Sequence, residues 1–524
     1  MKVLVADPID KAGIEALQAR VKVDVKTGLK PDELKSIIGN YEAIVVRSET
    51  QVTKEIIEAG TKLQAIARAG VGLDNIDVNA ATQRGIVVVN APTGNTIAAA
   101  EHTMAMMLAL ARHVPQANAK LKSGAWQRSA FIGNELKNKT LGVIGLGNVG
   151  SEVVRRSQAF KMRILGHDPF VSADYAHNLG IELVPLKQLL QESDYITLHL
   201  PLTQNTRGMI SARELATVKP TARIINCARG GLVDEEALFQ AVEEGKLAGA
   251  AVDVFSKEPT TDNILFKSDK INVTPHLGAS TAEAQVGVAL DAAEQVLAIL
   301  HGQPARYAVN LPQIPAEVLA VLAPYIQVAS TIGSLAGQLM EGQIKSMQVI
   351  YSGEIASCDS SVLKAAILGG FLEKMSEERV NMVNAAVIAN RRGIKIVEQK
   401  EATCENYASL ITLDVAASRG SISVAGTVLR NETHIVKVND FWVDIIPTGG
   451  YFLFCDHRDR AGLIGAVGNI TGKADINISS MQLARLQPRG KALMILALDE
   501  ALKEKQIKEI LALENVSSAN LVKL

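Results

Sequence analysis

His276, Glu258 and Arg229 have the types and settings that suit chemistry on a secondary alcohol. His276 lies in Thr274-Pro-His276-Leu-Gly278-Ala-Ser280, a loop that Pro275 stiffens, where an imidazole can take a hydroxyl proton. Glu258 stands 18 residues earlier, in Asp253-Val-Phe-Ser-Lys-Glu258-Pro259. A carboxylate on the far ring nitrogen would set the tautomer and favour the protonated imidazole. Arg229, in Asn226-Cys-Ala-Arg229-Gly-Gly231, offers a planar fork that can grip a carboxylate while polarising the adjacent carbonyl. Taken singly, each is an ordinary loop or turn residue. All three at strand ends of one nucleotide-binding domain point to proton abstraction beside hydride transfer.

The cofactor for such a transfer has its own signature. Residues 140–150, Thr140-Leu-Gly-Val-Ile-Gly145-Leu-Gly147-Asn-Val-Gly150, read as a buried strand turning tightly into a helix. Gly145 permits the turn, Gly147 lets backbone approach a pyrophosphate, and Gly150 lets helix and strand pack closely. The phosphates would sit at the helix N-terminus, where the dipole favours negative charge. After a second strand comes Asp168, placed to hold a ribose hydroxyl pair and to repel the extra phosphate of NADP. Pro169 and Phe170 bring no cation to reverse that preference, so the pattern calls for NAD.

These residues need parallel sheets to carry them. Residues 1–93 alternate strand and helix patterns, and so does the segment 94–296 around the glycine loop. Ligands of such α/β sheets gather beyond the carboxyl ends of the strands. Arg47 with Ser48, and Arg68 leading into Gly70-Val-Gly72, occupy two such ends and suggest anion binding. A helix over 95–112 suits a close-packed crossover between the two halves, with Glu101 and His102 as structural polar packing. A helix over 281–300 returns the chain, so the first domain is discontinuous: 1–93 with 297–310 around a nucleotide domain of 94–296. A polar and aromatic stretch, 122–131, holds Trp126-Gln-Arg128 and suits an interface arm.

With 524 residues, 48% hydrophobic and 21% charged, the chain suggests three or four domains with ample core. A net charge of -1 argues against nucleic acid as the main ligand. The cysteines at 227, 358, 404 and 455 form neither a disulfide framework nor a metal pattern, and fit a reducing cytoplasm. The apolar run at the N-terminus stops too soon for a signal peptide, and the sharpest one, 104–111, is far short of a membrane span.

The glycine loop, the Arg229 turn, Asp253-Val-Phe with Glu258-Pro259, and Thr274-Pro-His276 together resemble the D-isomer-specific 2-hydroxyacid dehydrogenases. Arg68 to Asp77, Asn90-Ala-Pro-Thr-Gly-Asn95 and Ala100-Glu-His resemble the long, phosphoglycerate-oxidising branch of that family. The resemblance implies that Arg229, Glu258 and His276 are catalytic and that the substrate is 3-phosphoglycerate. It implies substrate contacts at Arg47, Ser48, Arg68, Gly70, Arg229 and His276, with Arg128 reaching a neighbouring subunit of a homo-oligomer. For NAD it implies Val71, Asn148, Val149 and Asp168. It adds Leu200, Cys227, Ala228, Arg229, Asp253, His276, Gly278 and Ala279. Asn148 and Leu200 stand where Arg and Thr are frequent, which removes two polar groups from the cofactor's surroundings. The alternatives are another D-2-hydroxyacid dehydrogenase or glyoxylate reductase, or a non-enzymatic NAD-responsive binding protein.

Residues 311–446 show helices and strands without a catalytic cluster, and resemble the intervening, oligomerising domain of the long form. Residues 450–524 read as βαββαβ, a ferredoxin-like pattern that resembles an ACT domain. There His457, Asp459, Gly462 and Asn477 would hold an amino-acid effector, L-serine. The expected architecture is thus two doubly wound parallel-sheet α/β domains (flavodoxin-like and Rossmann), an α+β intervening domain and a ferredoxin-like tail.

Overall fold

The computed structural model describes residues 1–312, 315–376 and 378–524; Gln313, Ile314 and Glu377 of the 311–446 segment lie outside the described residues. Among the described residues, four sheets follow one another along the chain. The first contains β1 (Lys2–Val5), β2 (Lys22–Val25), β3 (Ala43–Val46), β4 (Ala65–Arg68) and β5 (Val87–Val89), in the order β2-β1-β3-β4-β5. All its pairings are parallel. The Ala-Ile-Val-Val run of β3 is buried throughout, as a strand covered on both faces must be.

The second sheet is also parallel. It holds β6 (Thr140–Ile144), β7 (Arg163–His167), β8 (Glu182–Leu183), β9 (Tyr195–Leu198), β10 (Arg223–Asn226), β11 (Gly249–Val252) and β12 (Ile271–Val273). Their order is β12-β11-β10-β9-β6-β7-β8. The winding reverses between β6 and β9, which opens a crevice above the carboxyl end of β6. The glycine loop leaves β6 at that point.

Two long helices tie the halves together. Thr96–Arg112 packs Met104, Met107 and Leu110 into the core of the second sheet. Ala282–Leu300 places Val288, Ala292, Val296 and Leu300 in the core of the first. This corrects the expected limit at 296: residues 282–296 follow the second sheet in sequence, but their apolar face completes the first. The chain then lies along β5, where the Val309 N–H donates to the Val88 carbonyl and Asn310 bonds to Val88 and Ile86.

The third sheet comprises β13 (Ile344–Gly353), β14 (Lys395–Glu401), β15 (Ser409–Ala417), β16 (Gly420–Leu429), β17 (Glu432–Val438) and β18 (Phe441–Ile445). Its order is β14-β13-β15-β16-β17-β18. Only the β13–β14 pair is parallel. Helices Ala316–Leu339 and Ser361–Glu373 cover it. The first of these is long and apolar enough to cross a membrane, an exception to the expectation that no segment would be. Its Leu322, Val328, Ile332 and Leu335 are fully buried in the core of this sheet.

The fourth sheet has β19 (Tyr451–Arg458), β20 (Ile478–Arg485), β21 (Lys491–Leu498) and β22 (Val516–Lys523), in the order β20-β21-β19-β22. That is the ferredoxin-like arrangement, with helices Leu463–Lys473 and Glu504–Leu511 on one face. The other face is also apolar: Phe452, Phe454, Leu493, Ile495 and Val522 join a single core with the third sheet and its helices.

Candidate active site

A cavity of about 750 Å³ lies between the first two sheets, at the carboxyl ends of their strands. His276, Glu258 and Arg229 reach it from the second sheet; Arg47, Ser48, Arg68 and Gly70 reach it from the first. The structure therefore gathers seven expected site residues into one cleft.

The His276 loop is held from below by Asp253, which follows β11 and is completely buried. One carboxylate oxygen accepts the Thr274 hydroxyl at 2.6 Å and the Leu277 N–H at 2.8 Å; the other accepts the Gly278 N–H at 2.9 Å. The Asp253 carbonyl accepts the His276 N–H at 2.9 Å. Clamped on both sides, His276 adopts φ 56°, a left-handed conformation uncommon for a non-glycine residue. Its Nδ1 lies 2.6 Å from Glu258 Oε2, which leaves Nε2 as the free ring nitrogen. The Phe255 N–H fixes the other Glu258 oxygen at 2.8 Å. Burial acts to raise the Glu258 pKa, but the bonds from His276 and Phe255 outweigh it and hold the carboxyl below the usual range. Arg229 is braced by its own turn: Nη1 donates to the Ala228 carbonyl at 2.7 Å, and Asn226 donates to the Arg229 carbonyl at 3.0 Å.

On the facing side, the loop after β3 is locked by a residue that sequence reasoning missed. Asp7, at the end of β1 and 1% exposed, accepts the N–H groups of Arg47, Glu49 and Thr50. Asn75, also buried, donates to the carbonyls of Arg47 and Thr50 at 2.9 and 2.7 Å. The only sequence signal for Asp7 is an acid placed directly after a strand.

The residues expected around a dinucleotide are arranged to fit one. Gly145 has φ +93°, closed to most side chains, and a Cβ on Gly150 would sit 2.0 Å from the Gly145 carbonyl oxygen. Gly147, the N-cap of helix Asn148–Ala159, faces open space and has no side chain to cap the helix, so a phosphate can approach. Asn148 is exposed beside it, Val149 half-buried. Asp168 Oδ2 accepts the Leu146 N–H at 2.9 Å, which ties the acid at the end of β7 to the glycine turn and leaves lone pairs for ribose hydroxyls. Leu200 packs against Gly145, and Val71 and Ala279 line the cavity. Cys227 and Ala228 are half-buried in the Arg229 turn, where burial pushes the Cys227 thiol far up. Asp253 and Gly278, expected at the cofactor, are bonded to each other beneath the His276 loop. Asp168→Ala is expected to reduce the preference for NAD over NADP, read as a ratio of kcat/KM values, by about tenfold.

His102, expected as mere packing, has Nε2 at 3.2 Å from both Asp253 Oδ1 and Thr274 Oγ1, so it buttresses the clamp. Arg128, in the exposed turn Arg128–Phe131, is not among the cavity's lining residues. In the tail the four effector candidates have separate settings. Asp459 pairs with Arg485 at 3.0 Å, Asn477 donates to Asp499 at 2.7 Å, His457 is buried against the Cys455 carbonyl, and Gly462 opens a helix at φ +88°.

Comparison with known proteins agrees with this geometry. The family described as D-isomer specific 2-hydroxyacid dehydrogenase, NAD binding domain, matches residues 104–278, which defines an NAD-dependent oxidoreductase. The D-3-phosphoglycerate dehydrogenase intervening domain matches residues 321–439. The chain is 48% identical to D-3-phosphoglycerate dehydrogenase of Synechocystis sp., covering 100% of this chain and 95% of that one. It is 43% identical to the protein of the same name from Methanocaldococcus jannaschii, with 100% of both covered. Among solved structures, D-lactate dehydrogenase from Aquifex aeolicus, complexed with NAD and lactic acid, matches 58% of this chain and 96% of its own (TM-score 0.52, 28% identity). The chain belongs to the D-3-phosphoglycerate dehydrogenase family.

Proposed function

We propose that this protein oxidises 3-phospho-D-glycerate to 3-phosphohydroxypyruvate with NAD, the first step of phosphorylated L-serine synthesis. The observation that carries the reading is 48% and 43% identity, along the whole chain, to proteins of that name, together with a cleft that holds a His–Glu pair and three arginines. His276 takes the hydroxyl proton at Nε2 while Glu258 stabilises the imidazolium that forms. Arg229 holds the substrate carboxylate and polarises the emerging carbonyl. Arg47 and Arg68, with Ser48 and the Gly70 backbone, hold the phosphate. The residues that would hold NAD are the glycine loop, Asp168 and the flanking positions described above; when bound, it supplies the acceptor for the hydride leaving C2.

The same reading carries a homo-oligomer (dimer or tetramer), L-serine as effector at the tail, and a place in the cytoplasm, which suits the four free cysteines. An assembly is supported by the arm beside the second sheet. Trp126 is 83% exposed and Ile132 81%, and helix Val114–Lys122 leaves every residue at least partly exposed. Arg128 lies on that arm and would reach a neighbouring subunit's cleft.

The test is NADH formation from NAD with 3-phosphoglycerate, D-glycerate and D-lactate, in the wild type and Arg47→Ala. Turnover confined to the phosphorylated acid, with KM raised about tenfold or more in the variant, supports the reading. Turnover of the unphosphorylated acids instead would assign the cleft to another 2-hydroxyacid.

A further inference from the structure

Three charged groups converge on the first-sheet wall of the cleft, at Gly72. A Cβ built there would lie 2.5 Å from Arg229 Nη2, 2.7 Å from Arg68 Nη1 and 2.8 Å from Asp74 Oδ2. Asp74 Oδ2 is 3.6 Å from Arg229 Nε. Arg68 is fixed by its Nε–H, which donates to the Arg47 carbonyl at 3.1 Å, while its Nη1 is buried with no hydrogen-bond partner among the described residues. Two guanidinium groups drawn to one point repel each other, and a buried N–H aimed at that point calls for an acceptor. Burial and the neighbouring Arg229 both act to lower the Arg68 pKa, and Asp74 acts the other way.

Asp74 is not needed for the shape of its own loop. Asn75 anchors that loop to the Arg47 and Thr50 carbonyls, and Asp77 caps helix Val78–Gln83 by accepting the Ala80 N–H. The Asp74 side chain itself is 69% exposed, so its removal opens no buried hole. A carboxylate placed against one cation of a substrate cleft and near a second, without a structural bond among the described residues, has a simpler use.

We infer that Asp74 is an internal competitor: its carboxylate pairs with Arg229 and adds its charge to the field at Arg68, an anionic substrate must displace it, and it thereby sets the affinity of the cleft for anions. This rests on the reading that Arg68 and Arg229 receive the substrate's anionic groups. A side-chain carboxylate tethered beside the pair shields it from weak anions, whereas a ligand with both a carboxylate and a phosphate can outbid it by engaging Arg47 as well. Asp74 thus tunes selectivity for doubly anionic acids without touching the reacting atoms.

Asp74→Asn keeps the shape and removes the charge. The full-length protein is titrated with inorganic phosphate, read by protection against thermal unfolding, and assayed for NADH formation with 3-phosphoglycerate. Both the phosphate midpoint and the KM are expected to fall by about threefold to tenfold, with kcat within roughly twofold of wild type. The gap between variant and wild type should narrow as salt rises. A phosphate midpoint equal to that of the wild type overturns the inference, as does a raised KM with a lowered kcat. If the wild type fails to oxidise 3-phosphoglycerate, the functional reading falls, and the phosphate titration still decides the role of Asp74.

Discussion

The His276→Ala enzyme is expected to oxidise 3-phosphoglycerate about 10²–10⁴-fold more slowly than wild type, the usual worth of a positioned acid–base group. NAD affinity, measured by fluorescence titration, should fall far less than the rate, because the glycine loop and Asp168, which hold the pyrophosphate and ribose, stand on other strand ends. Glu258→Gln should lose less, about tenfold, since it alters the support of the base and leaves the base itself. The double variant should be no slower than His276→Ala alone, because Glu258 reaches the reaction only through its 2.6 Å contact with the imidazole. Multiplicative losses would mean that Glu258 acts on the substrate directly.

Asp253→Ala is expected to lower stability by roughly 3 kcal/mol, seen as a reduced midpoint of chemical unfolding, and to remove most activity as well. The substitution leaves the Leu277 and Gly278 N–H groups and the Thr274 hydroxyl without their acceptor, at about 1–3 kcal/mol for each group that stays buried. The loop they hold is the one that carries His276 in its left-handed backbone. Burial alone would raise the Asp253 pKa, but His102, the Thr274 hydroxyl and the Leu277 N–H keep it below the ordinary Asp value. With the folded-state pKa below the unfolded one, the unfolded chain binds this proton more readily. The stabilisation is therefore complete above the ordinary Asp range and disappears as pH falls through the lowered folded value. Asp253→Asn should accordingly flatten the acid side of the stability curve, and an acid side as steep as that of wild type would show that other carboxylates dominate it.

The parallel halves and the glycine loop were legible because their signals are local: fully apolar runs, strand-end arginines, and three glycines at fixed offsets. The convergence of Arg229, Glu258 and His276 could be inferred because parallel strands send their carboxyl ends to one side. What escaped depends on contacts distant in sequence. Asp7 acts on residues 40 and more positions away, and Asp74 matters only because Gly72 brings two arginines beside it. Strand β14 reads Lys-Ile-Val-Glu-Gln-Lys-Glu and lies mostly exposed at a sheet edge, so no alternation marks it. The helix before β14 begins only at Ala385, because the side chains of Asn384 and Asn381 first accept the Asn381 and Val383 N–H groups in a turn. That turn also bonds to the Gly85 and Gln83 carbonyls of the first domain. The end of the 94–296 segment was misplaced because an Ala-rich helix shows how small its neighbours must be, but not which sheet supplies them.

The continuous core beneath the third and fourth sheets also bears on whether the tail can be cut away. A stop codon in the link before Tyr451 would strip Phe452, Phe454, Leu493, Ile495 and Val522 from helix Ala316–Leu339 and its sheet, leaving an oily scar. Such a truncated product would precipitate or associate before its catalysis could be judged. Point changes on the outward faces of the tail leave the buried seam intact, and are the sounder way to test the effector site proposed there.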